Sequence, residues 1–280
     1  ANDPTADLDP RETFKAVTPK LGISYRVSDD VLVFGNVAEG FRSGGSNPVP
    51  SAEPTYVRSF DPDRAWSYEV GVKSEWFDKR LRLNASAYYS ERKDMQVTSF
   101  VAGLGGAVAV TTNAAKAEYK GIEVEALAMP IDSLTLNATF GYVDRNYDEY
   151  VVFDTATGAD MDIASFAKFS YSPSTTFNAG VQYDFPAMTL GKLSARLDYN
   201  YISKRYFDSN PRTSPFLNDI AAPGRGLLDA RLTLSNIAIG SGDASLSLWG
   251  KNITDKEYKN IGTDFGALGF ATNSYGDPMT

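Results

Sequence analysis

The 280-residue chain contains no cysteine and no histidine. Without cysteine it has no disulfide framework, no thiolate metal site and no cysteine nucleophile. Without histidine it has no Ser-His-Asp triad and no His-held zinc or haem. No run of 18 apolar residues occurs, so no helix of this chain would be long and apolar enough to cross a bilayer. Basic residues are in deficit: 27 Lys+Arg against 35 Asp+Glu give a formal net charge of −8. That balance argues against nucleic acid as a partner. The polar opening ANDPTADLDPRETFKAV has neither the basic nor the apolar part of a signal peptide. The chain therefore reads as a mature chain or a fragment. Its last residues, SYGDPMT, stop in what reads as a loop entering another strand, which favours a fragment. Residues 1–15 read as loop.

What the chain does have is aromatic side chains and alternation. It holds 16 Tyr, 16 Phe and 3 Trp, which suits strands and the aromatic girdles of membrane barrels. In the stretch from Ala65 to Ser99 two alternating runs flank a polar turn at Asp78-Lys79-Arg80. Val70, Val72 and Trp76 oppose Glu69, Gly71, Lys73 and Glu75; Leu81, Leu83, Ala85, Ala87 and Tyr89 oppose Arg82, Asn84, Ser86, Tyr88 and Ser90. A period of two marks strands. One smoothly apolar face and one densely charged face fit a wall between lipid and water, a transmembrane hairpin.

The pattern recurs along the chain. Alternating segments are expected near 19–27, 31–38, 118–128, 134–142, 177–185, 193–201 and 228–234, with a last one opening at Ala244 and running on through Thr254. Short turns (Ser28-Asp29-Asp30, MPIDS, PAMTLGK, IGSGD) alternate with long loops, including a Gly-rich one at VAGLGGAVA, one over 144–172, one over 203–225 and a final one from Gly262. The fold expected is all-β: an antiparallel transmembrane β-barrel, partial, with about ten strands, the charged residues Glu69, Lys73, Glu75, Arg82, Glu123, Glu125, Arg196, Asp198, Asp229 and Arg231 facing the lumen as a ladder of opposite charges. Trp76, Phe77, Tyr183 and Phe185 flank short turns as an aromatic girdle. Asp154, Asp160 and Asp162 stand around a glycine, loosely like a Ca²⁺ loop, but miss the twelve-residue pattern and read as polar surface. The GLGG of 103–106 lacks the strand-to-helix setting of a phosphate loop.

Several segments resemble one family. AWSYEVGVKSEWFDKRLRLNASAYYSERKDMQV is similar to the hairpin of TonB-dependent outer-membrane receptors, with its YE-x-G-x-K strand and its second strand ending in D-x-Q. VFGNVAEGFRSGGSNP resembles their GFRSGG segment, NAAKAEYKGIEVEA their GxExE strand, and LSLWGKNITDKEY their penultimate strand, with YGDPMT standing before the final one. The resemblance implies the C-terminal part of a larger barrel of about 22 strands with a plugged lumen, the plug and final strand lying outside the 280 residues. It implies the outer membrane of a Gram-negative bacterium, contact with outer-membrane lipid, and uptake of a scarce large solute such as a ferric siderophore. Energy would come from the proton-motive force, through the plug and the TonB-ExbB-ExbD complex. The alternative is a passive porin or other unplugged barrel. Ligand-binding residues expected on the long loops are Phe41, Arg42, Tyr56, Arg58, Arg212 and Phe216, with Phe60 and Tyr206 beside them, because Arg clamps anionic groups and aromatics stack on planar rings. No catalytic residue, cofactor or metal is expected.

Overall fold

The computed structural model describes residues 13–47, 59–103, 106–154 and 157–280. In chain order the strands are β1 Lys20–Ser28, β2 Val31–Arg42, β3 Gly45–Ser46, β4 Ser59–Phe60, β5 Asp63–Trp76, β6 Leu81–Gly103, β7 Gly106–Ile131, β8 Leu134–Asp154 and β9 Ala159–Asp162. They continue with β10 Thr175–Asp184, β11 Lys192–Ile202, β12 Arg225–Ile239, β13 Gly242–Gly250, β14 Lys259–Phe265 and β15 Phe270–Tyr275. One single-turn helix, α1, spans Leu217–Ile220. Ten strands form one antiparallel path, β1-β2-β5-β6-β7-β8-β10-β11-β12-β13, with β9 added on β8. The path is open, with β1 and β13 as its two ends.

The register sets each row of the outer face. Val37, Tyr68 and Tyr89 stand side by side, as do Ala87, Ile122 and Tyr142, and then Ala126, Ala138 and Ala179. Among the described residues nothing covers these rows: Val70 is 64% exposed and Leu248 75%. Such an unbroken apolar sheet face is stable against lipid and unstable against water. The opposite face is polar, and two of its glycines have a packing reason. A Cβ at Gly71 would lie 2.6 Å from the Phe34 ring, and one at Gly121 would lie 2.4 Å from the Tyr88 ring. Each glycine thus lets an aromatic from the neighbouring strand lie flat on the inner wall.

The turn after β5 is tight and left-handed. Phe77, Asp78 and Lys79 all have positive φ, and the Arg80 amide donates to the Phe77 carbonyl at 3.0 Å. Trp76, Phe77, Tyr183 and Phe185 do stand exposed beside short turns, the last two in edge-to-face contact at 4.9 Å.

Three expectations are corrected at the long-loop end. Of the Gly-rich stretch, 101–103 ends β6 and 106–109 opens β7, with Gly103 and Gly106 paired. The segment after Asp144 continues β8 to Asp154 and returns as β9. The final segment is a hairpin of β14 and β15. About ten residues suffice to cross a bilayer, so β6, β7 and β8, with 23, 26 and 21 residues, rise well beyond it. Strands there no longer have lipid along one face, which removes the demand for strict alternation that makes a belt strand legible. The last belt strand also stops earlier than expected. β13 ends at Gly250, and Asn252, buried with φ 48°, turns the chain. The Asn252 amide donates to the Asp229 carboxylate at 2.8 Å, and its side chain binds both the amide and the carbonyl of Lys256.

Candidate functional site

At the long-loop end of β2 and β5 the Asp63 carboxylate, 2% exposed, is the hub. Arg42 Nε donates to it at 2.8 Å, Arg92 Nη2 at 2.9 Å, and the Gln96 amide at 3.3 Å. The Gln96 side chain clamps the carbonyls of Ser43 and Asp61. The D-x-Q segment, Asp94-Met95-Gln96, therefore closes the root of this loop, with Asp94 in the left-handed region at φ 53°. Arg42 is thereby committed to an internal ion pair. Phe41 points to the other face, where the Arg64 guanidinium lies 5.9 Å from its ring and bridges to Glu39 at 2.8 Å. Tyr56 and Arg58 lie outside the described residues.

The other expected ligand residues also make contacts within the chain. Arg212 donates to the buried Asp154 carboxylate at 2.8 Å. Phe216 caps α1, its amide donating to Asp264 at 2.8 Å. Phe60 pairs with Gly45 across the short β3–β4 ladder. The aspartates around Gly158 do not converge. Asp154 holds Arg212, Asp162 accepts the amides of Tyr150 and Ala164, and Asp160 pairs with Phe153 across β8–β9. Among the described residues no group of three or more carboxylates could hold a metal.

Above the belt these contacts enclose a core of Ala115, Ala117, Tyr147, Tyr150 and Ile163. The Tyr147 ring stacks on Phe169 at 4.0 Å and 4°. The Tyr150 hydroxyl lies 2.9 Å from that of Ser209. Burial pushes the phenols of Tyr147 and Tyr150 up and the guanidinium of Arg145 down.

Where β8 parts from β10, a cleft of about 510 Å³ opens against segments 164–174 and 204–206. It gathers Arg145, Lys168 and Lys204 with Tyr147, Phe169 and Tyr206, and Asp144 is its one carboxylate. The Arg145 guanidinium lies 5.5 Å from the Phe169 ring and donates to the Ser172 carbonyl. Lys168 and Lys204 both address the Tyr206 ring, at 5.7 and 4.6 Å. Of the expected residues only Tyr206 belongs here. The interleaving of cations and aromatics in AKFSY and SKRYF was the available signal.

The inner wall of the belt is a mixed polar surface rather than a ladder of opposite charges. Arg82 does reach across strands to Glu75 at 2.9 Å, but Arg196 pairs with Asp198 two residues along its own strand at 2.5 Å. Glu69 and Glu125 accept from the amides of Asn36 and Asn84, and Lys73 lies 5.8 Å from the Phe34 ring.

A family model described as TonB dependent receptor-like, beta-barrel, matches residues 1–253. The chain belongs to that family. Among curated proteins it is 23% identical over 204 residues to the metal-pseudopaline receptor CntO of Pseudomonas aeruginosa, covering 73% of this chain and 26% of that receptor. Among solved structures it resembles the ferric yersiniabactin uptake receptor FyuA from Yersinia pestis, with a TM-score of 0.70 at 22% identity over 93% of this chain and 35% of that one. It also resembles BauA, the ferric preacinetobactin receptor from Acinetobacter baumannii, with a TM-score of 0.68 at 19% identity over 98% and 36%. The chain thus spans 26% of the length of CntO and a similar or somewhat larger share of the others. It is barrel wall of the Gram-negative outer membrane, so the apolar rows face lipid and the long-loop end is extracellular.

Proposed function

We propose that the receptor containing this wall takes up a scarce large solute, a ferric siderophore, driven by the proton-motive force. In this reading the wall is the C-terminal part of a barrel of about 22 strands around a plug, and the TonB-ExbB-ExbD complex acts on the plug. The observation that carries the reading is the pairing of a TonB-dependent receptor wall with strands that rise beyond the bilayer into a packed extracellular cap. A passive pore gains little from such a cap, whereas a receptor needs a fixed surface on which to capture its ligand. Relatives named for ferric yersiniabactin and ferric preacinetobactin support the same class of solute. The test is uptake of ⁵⁵Fe-loaded siderophores by iron-starved cells with and without the intact gene, before and after an uncoupler. Gene-dependent uptake that stops with the uncoupler is expected. Gene-dependent uptake that survives the uncoupler would instead favour the passive porin.

A further inference from the structure

On the lipid-facing side, three neighbouring strands place small residues in one row. Ala126, Ala138 and Ala179 lie side by side on β7, β8 and β10. Larger residues flank that row, Phe140 and Phe177 towards the cap and Leu136 and Val181 towards the short turns. Tyr199 and Leu228 close it on β11 and β12. The result is an open-sided trough of about 570 Å³, within the size range of small-molecule sites. A glycine sets its far wall. A Cβ at Gly226 would collide with the Tyr199 ring, and its absence lets that ring lean towards β12, away from Ala179.

The lining is hydrocarbon. Among the described residues that line the trough, Tyr199 alone brings a polar side-chain group to this face, and its hydroxyl is turned to Gly226. Asn137 is a neighbour whose side chain serves the inner wall, where its oxygen accepts from Arg196 at 3.1 Å. Protein partners in lipid are held by close packing together with hydrogen bonds, and the trough has little to offer for the second. Left empty, it would forfeit dispersion contacts along its whole wall. The trough is continuous with the lipid-facing rows, and its height selects the leaflet. It covers the first two rows above the girdle ring of Tyr183, which pairs with Leu134 at the start of β8. At about 3.3 Å per residue and a tilt of about 40°, those rows lie within about 10 Å of the girdle. That is the periplasmic half of the belt.

We propose that the trough seats one acyl chain of a phospholipid from the periplasmic leaflet, a resident lipid that exchanges more slowly than its neighbours. The chain lies over the three alanines between the Phe140–Phe177 and Leu136–Val181 rows, with its headgroup at the girdle. The seat is independent of the solute that the receptor carries.

Native mass spectrometry of the intact receptor, washed in detergent until the loosely held lipids are gone, tests this. The filling variant is Ala138→Leu/Ala179→Leu. The control is Ala87→Leu, which adds the same group to the lipid-facing row of Ile122 and Tyr142, outside the trough. Thermal melting checks that both variants fold. The wild type and the control are expected to retain one phospholipid per receptor, and the filling variant to retain at least about tenfold less. Equal retention by a filling variant that melts normally, or equal loss in the control, would overturn the proposal. So would a wild type that retains no lipid, or one whose retained lipid is lipopolysaccharide from the other leaflet. A receptor dimer that the filling variant abolishes would overturn it too, and would make the trough a contact between copies.

Discussion

The belt and the cap of this one sheet are held together by different means. In the spanning part successive side chains point to lipid or to the lumen, and among the described residues none of the buried hydrophobic ones lies there. Its order comes from the strand ladder, from apolar rows meeting acyl chains, and from polar contacts on the inner wall. Once β6, β7 and β8 leave the bilayer, lipid no longer covers the outer face and a single layer no longer suffices. The same strands then acquire what a soluble domain has, a closed core around Tyr147, Tyr150 and Ile163 and buried carboxylates held by arginines. A continuous strand can thus pass from one solvent regime to another, and its side-chain pattern changes where the solvent does.

The contrast predicts that damage to the cap stays in the cap. The largest effect is expected from Tyr150→Ala. This ring is 1% exposed and its hydroxyl meets Ser209 at 2.9 Å, so truncation should cost about 4 kcal/mol locally. Hydrogen exchange on the intact receptor in nanodiscs should show faster exchange over 106–117 and 144–163, with amides over 81–90 and 134–142 unchanged. Equal acceleration in both sets would mean that belt and cap are one cooperative unit. The converse substitution, Ala138→Arg, puts a charge in the middle of a lipid-facing row. It should cost about 2–4 kcal/mol in urea titrations of vesicle-refolded receptor, with cap exchange little altered.

A smaller effect is expected at Asp63. Replacement by Asn removes the charge that Arg42 and Arg92 share, but those side chains are 47% and 27% exposed and water can re-solvate them. The cost should be about 2 kcal/mol, below the value for a fully buried pair, and should show as faster exchange at the β2–β5–β6 rim. No change there would make the Asp63 hub ornamental to the loop root.

The two regions also differ in how far the sequence reveals them. Leu83, Ala85 and Ala87 against Arg82, Asn84 and Ser86 declare a belt strand locally, because lipid and lumen enforce the period of two. Asp154 and Arg212 are 58 residues apart, and nothing near either one names its partner. The sequence marks the arginines as candidate ligand residues because exposed-loop arginine often is one, and it does not show the internal contacts they make. Here Arg42 and Arg212 satisfy carboxylates that folding buries. The cleft cations escaped notice for the same reason: Arg145, Lys168 and Lys204 come together only when the chain above β8 folds back on it.

The smallest effect tests the contrast from the periplasmic side. Arg80, in the left-handed turn between β5 and β6, reaches Asp132 in the next short turn at 2.7 Å and the Met129 carbonyl at 3.2 Å. On paper this bridge resembles Arg212–Asp154, one arginine fixing one carboxylate across a gap in sequence. The two carboxylates differ in solvent: the Asp132 side chain is 91% exposed and that of Asp154 6%. Water already solvates Asp132 without Arg80, whereas Asp154 has little access to water. Arg80→Ala should therefore change stability by no more than about 0.5 kcal/mol, and Arg212→Ala should cost clearly more in the same urea titration. A loss above about 1 kcal/mol for Arg80→Ala would show that the belt, too, depends on polar side chains at its ends, and the division between lipid-ordered and core-ordered parts would have to move down to the turns.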